Sequence, residues 1–449
     1  MPNNNEKSIV ALIPCESYDE EKVYQAVSKG IELVGGISSL IDKNEKILVK
    51  PNLLSGSNPN KAITTNPSVF EAVLRCLKEN DYQNITYGDS SAGVTNIEDV
   101  VRVAELKDRA DKYNVKLGDF SDYQNVNHPD GHVAKKFALC KGVVDADAII
   151  SVSKMKTHAL ENITGAVKNQ YGCIFSNKKS LGHAKYPNSN IFAKMLIDLN
   201  LYLKPRLFIM DGIIAMEGNG PASGDPVFMK TILVSKDPVA LDSVFARLVD
   251  LKPEYVPTIV YGDKYKLGTM NFNNISVVTP DGEITIDKAF DKYGNPNFVV
   301  NRNKRSFWSL KELFHRSKEK THRPVVDLNL CVACGKCESV CPVNGKAVHS
   351  GNGNKAKYDY DKCIRCYCCQ EICPAKAISR KGWIVTYLIL YFSKLNLIIL
   401  LSSSKNLTSN VFSLQFITSV NEDSQYSFFS CCCWRVIEST SFPASFIAS

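Results

Sequence analysis

Sixteen cysteines stand in this chain of 449 residues, and eight of them keep a repeated spacing. The first run is Cys331-x2-Cys334-x2-Cys337-x3-Cys341-Pro342, and the second is Cys363-x2-Cys366-x2-Cys369-x3-Cys373-Pro374. Three close thiolates wrap one face of a cuboidal iron–sulfur cluster and leave the intervening backbone N–H groups free to bond its sulfides. The fourth, followed by a proline that turns the chain away, reaches the other cluster. The expected ligand sets are therefore crossed. Cys331, Cys334, Cys337 and Cys373 would hold one [4Fe–4S] cluster, and Cys363, Cys366, Cys369 and Cys341 a second. Zinc knuckles also use C-x2-C pairs, but a four-ligand zinc site gives no reason for a repeated fourth Cys-Pro. Counting back four positions from Cys373-Pro374 selects Cys369, the offset of Cys337 from Cys341, so Cys368 reads as a non-ligand packed near the cluster. Two such clusters carry single electrons and convert no substrate themselves.

A second group of polar residues follows a series of β-like runs. Lys50-Pro51-Asn52 comes after KILV, Gly88-Asp89-Ser90-Ser91 after Asn84–Tyr87, and Lys154, Lys156, Thr157 and His158 after Ala146–Val152. Asp211-Gly212 and then Glu217 through Pro221 come after Arg206–Met210. In open α/β sheets ligands sit beyond the carboxyl ends of the strands, so these segments are expected to converge on one crevice. Lysines would hold a small carboxylate or phosphate there. Asp89, Asp211 and Glu217 could act as bases or bind a divalent ion, and His158 and His183 could move protons or ligate a metal. The catalytic candidates are Lys156, His158, Asp89 and Lys168. The substrate-binding candidates are Lys50, Asn52, Ser90, Lys154, Asn169, Asp211 and Glu217. Each has a plain structural alternative, such as a helix cap for Asp89 or a solvated helix face for Lys168 and Asn169. No dinucleotide fingerprint, Walker A sequence or nucleophile elbow occurs, and Gly88–Gly93 matches a phosphate loop only loosely.

The elements that must position these groups alternate. Ser8–Pro14 reads as a strand, followed by a helix from Glu20 to about Val34. Asn66-Pro67 is an N-cap and first-turn pair, behind which Val69, Phe70, Val73, Leu74 and Leu77 recur at helical spacing. A helix is expected from Ile97 to Tyr113, and Thr231–Val234 as a further strand. Strands alternating with helices predict an α/β fold with a largely parallel sheet over residues 1–300. A basic linker, 301–324, holds eight Lys/Arg against two Asp/Glu. It would either attract an acidic redox partner or serve as a solvated connector. A small α+β ferredoxin-like domain is expected over 325–380.

The stretch 381–449 is serine-rich and reads as a poorly structured extension. Its apolar segment from Trp383 is broken by Lys394 and Asn396, which disfavours a membrane helix. The overall charge of +8 lies mostly in the linker, which argues against a nucleic-acid surface. The N-terminus lacks the basic and apolar regions of a signal peptide, and a cytoplasmic location is expected.

Five stretches together resemble the uncharacterised bacterial and archaeal family called domain of unknown function 362. They are Lys50–Asn52, Gly88–Ser91, Lys154–His158, the run Asn162–Asn169 with Tyr171-Gly172, and Asp211-Gly212 through Gly220-Pro221. Asp237–Asp242 is similar to the family's closing motif. The resemblance covers roughly residues 8–280 and implies an α/β fold with an iron–sulfur appendage, but no settled reaction. Two functions remain open on the residues alone. One is an oxidoreductase acting on a small anionic substrate with electrons from a redox partner protein. The other is a non-catalytic electron carrier or metabolite-binding protein whose clusters dock, sense or stabilise.

Overall fold

The computed structural model describes residues 7–91, 96–186, 188–302 and 323–381, with further strands in the tail. Most of the basic linker, 303–322, lies outside the described residues, as do Ala92 and Gly93 of the loose phosphate-loop match and Cys431-Cys432-Cys433 of the tail.

Residues 7–302 form an α/β domain around one large sheet. Its strands are β1 (Ser8–Pro14), β2 (Ile47–Pro51), β3 (Ile85–Tyr87), β4 (Lys116–Leu117), β5 (Tyr123–Asn127) and β6 (Lys136–Cys140). The series continues with β7 (Ala148–His158), β8 (Asn162–Thr164), β9 (Leu207–Glu217), β10 (Asp225–Ser235), β11 (Ile275–Thr279) and β12 (Gly282–Ile284). The sheet order is β12-β11-β1-β10-β9-β7-β2-β3-β4, with β8 paired to β7 and a separate β5–β6 hairpin. The block β9-β7-β2-β3-β4 is parallel throughout, and antiparallel β10 is inserted between β1 and β9. The mixed, mostly parallel sheet agrees with the expected fold class.

Alternation fixes which side chain faces which layer. In β1, Val10 and Leu12 enter one core while Ala11 and Ile13 enter the other. In β7, Ile149 goes to the first and Ile150 and Val152 to the second. Helices Glu20–Leu33 and Pro67–Glu79 cover one face, and Ser189–Leu203 and Pro238–Leu248 the other. Asn66 caps the second helix through Ser68 N at 2.9 Å, with Pro67 in its first turn, as the sequence predicts.

Three elements differ from expectation, the first being the strand expected over Arg206–Met210, which runs on to Glu217 and carries Asp211, Gly212 and Glu217 itself. The single helix predicted over 97–113 is two, Ile97–Val103 and Leu106–Lys112, because Glu105 takes a left-handed conformation (φ 59°) between them. The strand predicted to end at Val152 runs on to His158. Partners on both sides, β8 and β9, satisfy its backbone, so Lys154, Lys156 and His158 lie on the strand itself and not in a loop beyond it.

The cysteine module packs with the α/β domain as one compact unit. It comprises β13 (Arg323–Val326) paired with β16 (Ile378–Lys381), and a hairpin of β14 (Val348–Gly351) and β15 (Asn354–Tyr358). Short helices Lys336–Ser339 and Cys368–Glu371 occupy equivalent places in the two cysteine runs. The tail backbone, taken by itself, pairs Val385–Phe392, Leu397–Asn406 and Ser409–Ile417 as an antiparallel meander. Among the described residues no helix is long and apolar enough to cross a membrane.

Candidate functional site

The two cysteine runs fold into matching loops. In the first, Ala333 and Gly335 are left-handed (φ 54° and 75°); in the second, Arg365 and Tyr367 hold the corresponding positions (φ 61° and 65°). Repeated left-handed residues curl a short loop so that its N–H groups point inward, a suitable lining for an anionic cluster. Cys331, Cys334, Cys337 and Cys373 line one void, walled by Val326, Ala356 and Ile378. Cys341, Cys363, Cys366 and Cys369 line a second, walled by Val343, Ala347 and Val348, and Cys368 lines it too.

The donor sets fit [4Fe–4S] clusters. Each void gathers four thiols among apolar side chains, and burial pushes the thiols of Cys337, Cys363 and Cys369 up. A thiolate is favoured in such surroundings only when a metal supplies the positive charge. Hydrogen bonds aimed at the sulfurs already exist. Ala347 N donates to Cys341 Sγ (3.3 Å), Ala356 N to Cys331 Sγ (3.4 Å) and the Tyr358 hydroxyl to Cys369 Sγ (3.2 Å). Such bonds tune a cluster's potential.

The second run docks on the α/β domain. Gln370 Nε2 donates to Asn219 O at 2.8 Å and Gly220 O at 3.0 Å, and Asn219 Nδ2 donates back to Ile378 O at 2.9 Å. Arg380 donates to Ala159 O at 2.9 Å. Glu371 accepts from His158 Nε2 at 2.9 Å. The His158 tautomer is fixed from the other side, where Nδ1 accepts the N–H groups of Leu160 and Glu161, each at 3.1 Å. His158 is therefore a neutral donor that positions Glu371.

Between the two domains' surfaces lies a polar cavity of about 80 Å³, beyond the carboxyl ends of β2 and β3. Its α/β lining includes Asn52, Asp89, Ser90, Lys168, Asn169 and His183, and the cysteine module adds Val340, Cys368, Glu371 and Ile372. Cys368 thus lines both this cavity and the second thiol-lined void.

The predicted site residues separate into three groups. Asn52, Asp89, Ser90, Lys168 and Asn169 line the cavity. Lys50, Lys156 and His158 stand directly behind them. Lys50 pairs with Asp89 at 2.9 Å with both buried, Lys156 donates to Asn52 Oδ1 and Ile63 O, each at 2.7 Å, and His158 holds Glu371. Lys154, Asp211 and Glu217 are not among the lining residues. Lys154 pairs with Asp211 at 2.8 Å, both almost wholly buried, and Tyr18 bonds each of them at 2.8 Å. Glu217 accepts Val299 N at 2.8 Å and stabilises a loop.

Lys168 differs from the other lysines. It is half-buried at the cavity, and no hydrogen bond or ion pair holds its ammonium among the described residues. Its charge is a leading cause that holds the Glu371 carboxyl well below the usual range, after the opposing effect of burial. His183, a buried residue of helix Ser176–Lys185, stacks on Phe192 at 4.4 Å and leaves Nδ1 without a partner. Gly172 lets the backbone press against the Lys50–Asp89 pair, since a Cβ there would lie 1.7 Å from Asp89 Oδ1 and 2.8 Å from Lys50 Nζ.

Sequence reasoning missed Glu371, Cys368 as a cavity residue, and Lys179, which donates to the Ser90 and Ser91 carbonyls. No local signal marks Glu371, because its partner His158 lies in another domain. Cys368 carried one, as a cysteine extra to the repeated spacing.

Burial holds His158 down at about 3 and His183 at about 4, from an ordinary 6.5. The unfolded chain takes up these protons near 6.5 and the folded chain only well below it. Stability from this source is thus complete above about pH 6.5 and falls as the pH drops toward 4, by up to about 1.4 kcal/mol per pH unit for each imidazole. Urea midpoints at pH 7 and pH 5 are expected to show the loss, and a His158→Gln/His183→Gln variant a shallower one.

Two families match the chain. Domain of unknown function (DUF362) matches residues 47–247, and the 4Fe-4S dicluster domain matches residues 323–374. A thylakoid-associated protein (sll1697) of Synechocystis sp. is 30% identical over 270 residues, which are 58% of this chain and 79% of that protein. The chain belongs to the DUF362 family. Its C-terminal module is of the 4Fe-4S dicluster type, so the chain is an iron–sulfur protein. Among solved structures, the lactate racemase apoprotein of Thermoanaerobacterium thermosaccharolyticum aligns at TM-score 0.37 and 13% identity, over 56% of this chain and 59% of that one. A Thermotoga maritima protein aligns at TM-score 0.31 and 14% identity, over 49% and 56%. The chain spans less than two thirds of either of these structures.

Proposed function

We propose that this DUF362 protein is an oxidoreductase in which two [4Fe–4S] clusters, held in crossed sets, exchange electrons with a small anion bound between Lys168 and His183. The observation that carries the reading is the shared wall. Cys368 and the helix it begins separate the second cluster cage from the polar cavity, so a ligand there would sit one side chain away from the cage.

When bound, the clusters supply single electrons at low potential. The chain's own residues do the rest. Among the described residues Lys168 is the one lysine lining the cavity with no protein acceptor, so it would take the anionic end. His183, neutral at pH 7, offers its free Nδ1 as a proton-handling atom in the cavity wall. Leu54, Val340 and Ile372 reduce water access, which strengthens each electrostatic contact inside. A cavity of about 80 Å³ suits a small ligand better than one of nucleotide size.

The test uses the anaerobically purified, reduced chain and a panel of carboxylates of about two to four carbons. At least one is expected to perturb the EPR signal of the second cluster, and Lys168→Ala to weaken that effect by about tenfold or more. Lys156→Ala serves as a contrast, since its ammonium is occupied by Asn52 and Ile63. If no carboxylate perturbs either cluster, or if Lys168→Ala responds as the native chain does, the cavity is not the substrate site. The electron-carrier reading would then be favoured.

A further inference from the structure

The two thiol-lined cages differ in exposure. In the second, Cys341, Cys366 and Cys369 are buried and Cys363 is partly covered, and the cage abuts the α/β domain. In the first, Cys334 is exposed. Beside it, Leu328, Leu330 and Val332 are 52%, 51% and 65% exposed. These are three of the seven large hydrophobic side chains exposed among the described residues, and they fall within a single five-residue stretch.

This stretch is a pinned turn. Asp327 Oδ1 accepts Asn329 N at 2.9 Å, Cys331 N donates to Asp327 O at 3.1 Å, and Lys355 Nζ donates to Leu328 O at 2.7 Å. Turns usually carry small polar residues. A fixed turn presenting two leucines and a valine beside a cluster ligand is a preorganised apolar contact. Its surroundings are cationic. Lys336 and Lys357 are exposed near the same cage, Lys355 anchors the turn, and residues 323–381 hold ten Lys/Arg against five Asp/Glu. Of the nearby acids, Glu338 is engaged by Ser350 N and His349, and one oxygen of Asp327 by Asn329 N.

We propose that the face formed by Leu328, Leu330 and Val332 is the docking surface for an acidic one-electron carrier protein, which delivers electrons to the first cluster. The inference rests on the cluster reading above. It gives the module a direction, with the first cage facing the carrier and the second facing the cavity. The contact is small and apolar at its centre, with complementary charge around it, as fast-exchanging redox complexes require.

The test is stopped-flow reduction of the cluster-loaded full chain by a reduced acidic [2Fe–2S] ferredoxin, with binding of the oxidised ferredoxin measured in parallel. Leu328→Glu/Leu330→Glu is expected to slow reduction by about tenfold or more and to weaken binding by a similar factor, since it places like charge in the contact. Reduction by dithionite, iron content and EPR signals should not change. Leu181→Glu, at an exposed leucine of the α/β domain, controls for added charge. Unchanged rate and binding in the double variant overturn the proposal, as does an equal loss with Leu181→Glu or a ferredoxin that neither binds nor reduces the native chain. Each of these leaves the cluster reading intact if iron and EPR signals are present; a chain holding no iron overturns both.

Discussion

Cys373→Ala is expected to remove the cluster of the first run, although Cys373 closes the second. The iron content should fall from about eight to about four per chain, and the coupled EPR spectrum of two clusters should become that of one. The reason is geometric, because Cys373 lines the same void as Cys331, Cys334 and Cys337. The decisive comparison is Cys331→Ala/Cys373→Ala. If the sets are crossed, both changes strike one cluster, and the double variant keeps about four irons, as each single variant does. If each run held its own cluster, the double variant would lose both. Stability should also fall in every such variant, since metal binding that exists only in the folded state contributes to folding free energy.

Lys154→Met is expected to destabilise the α/β domain by about 3–5 kcal/mol, because it strands the buried Asp211 carboxylate without its cation. Lys154 and Asp211 are almost wholly buried, and their remaining bonding capacity goes to Tyr18, Asn66 N and Ile213 N. Burial lowers the Lys154 ammonium while the adjacent Asp211 opposes that effect, so the charged pair is held by mutual compensation. Lys154→Met/Asp211→Leu should recover only part of the loss, since it removes both desolvation penalties but leaves the Tyr18 hydroxyl, Asn66 N and Ile213 N without their acceptor. Urea unfolding of the two single variants and the double variant completes the cycle. A Lys154→Met protein of native stability that had lost carboxylate binding would instead return Lys154 to the cavity.

These expectations show which parts of the chain speak locally. Lys50, Lys154, Lys156 and Lys168 look alike in sequence, each near a strand end or a glycine. Three are committed to partners far along the chain, Asp89, Asp211 and Asn52, and only Lys168 is left for a ligand. His158 reads as a catalytic base until Glu371, from the cysteine module, is found on its Nε2. The strand carrying Lys154, Lys156 and His158 could not be bounded from sequence, because its polar half is strand only by virtue of its neighbours on both sides.

The sequence alone determined the cluster chemistry and the fold class. Cluster ligation is encoded within two short runs whose spacing the cuboid itself dictates, and buried parallel strands announce themselves as continuous apolar stretches. The tertiary structure alone decided which polar residues share the cavity and that Cys368 faces it. It also separated the exposed cage from the buried one. Those outcomes depend on contacts between residues distant in the chain and on burial, and neither leaves a local periodic trace.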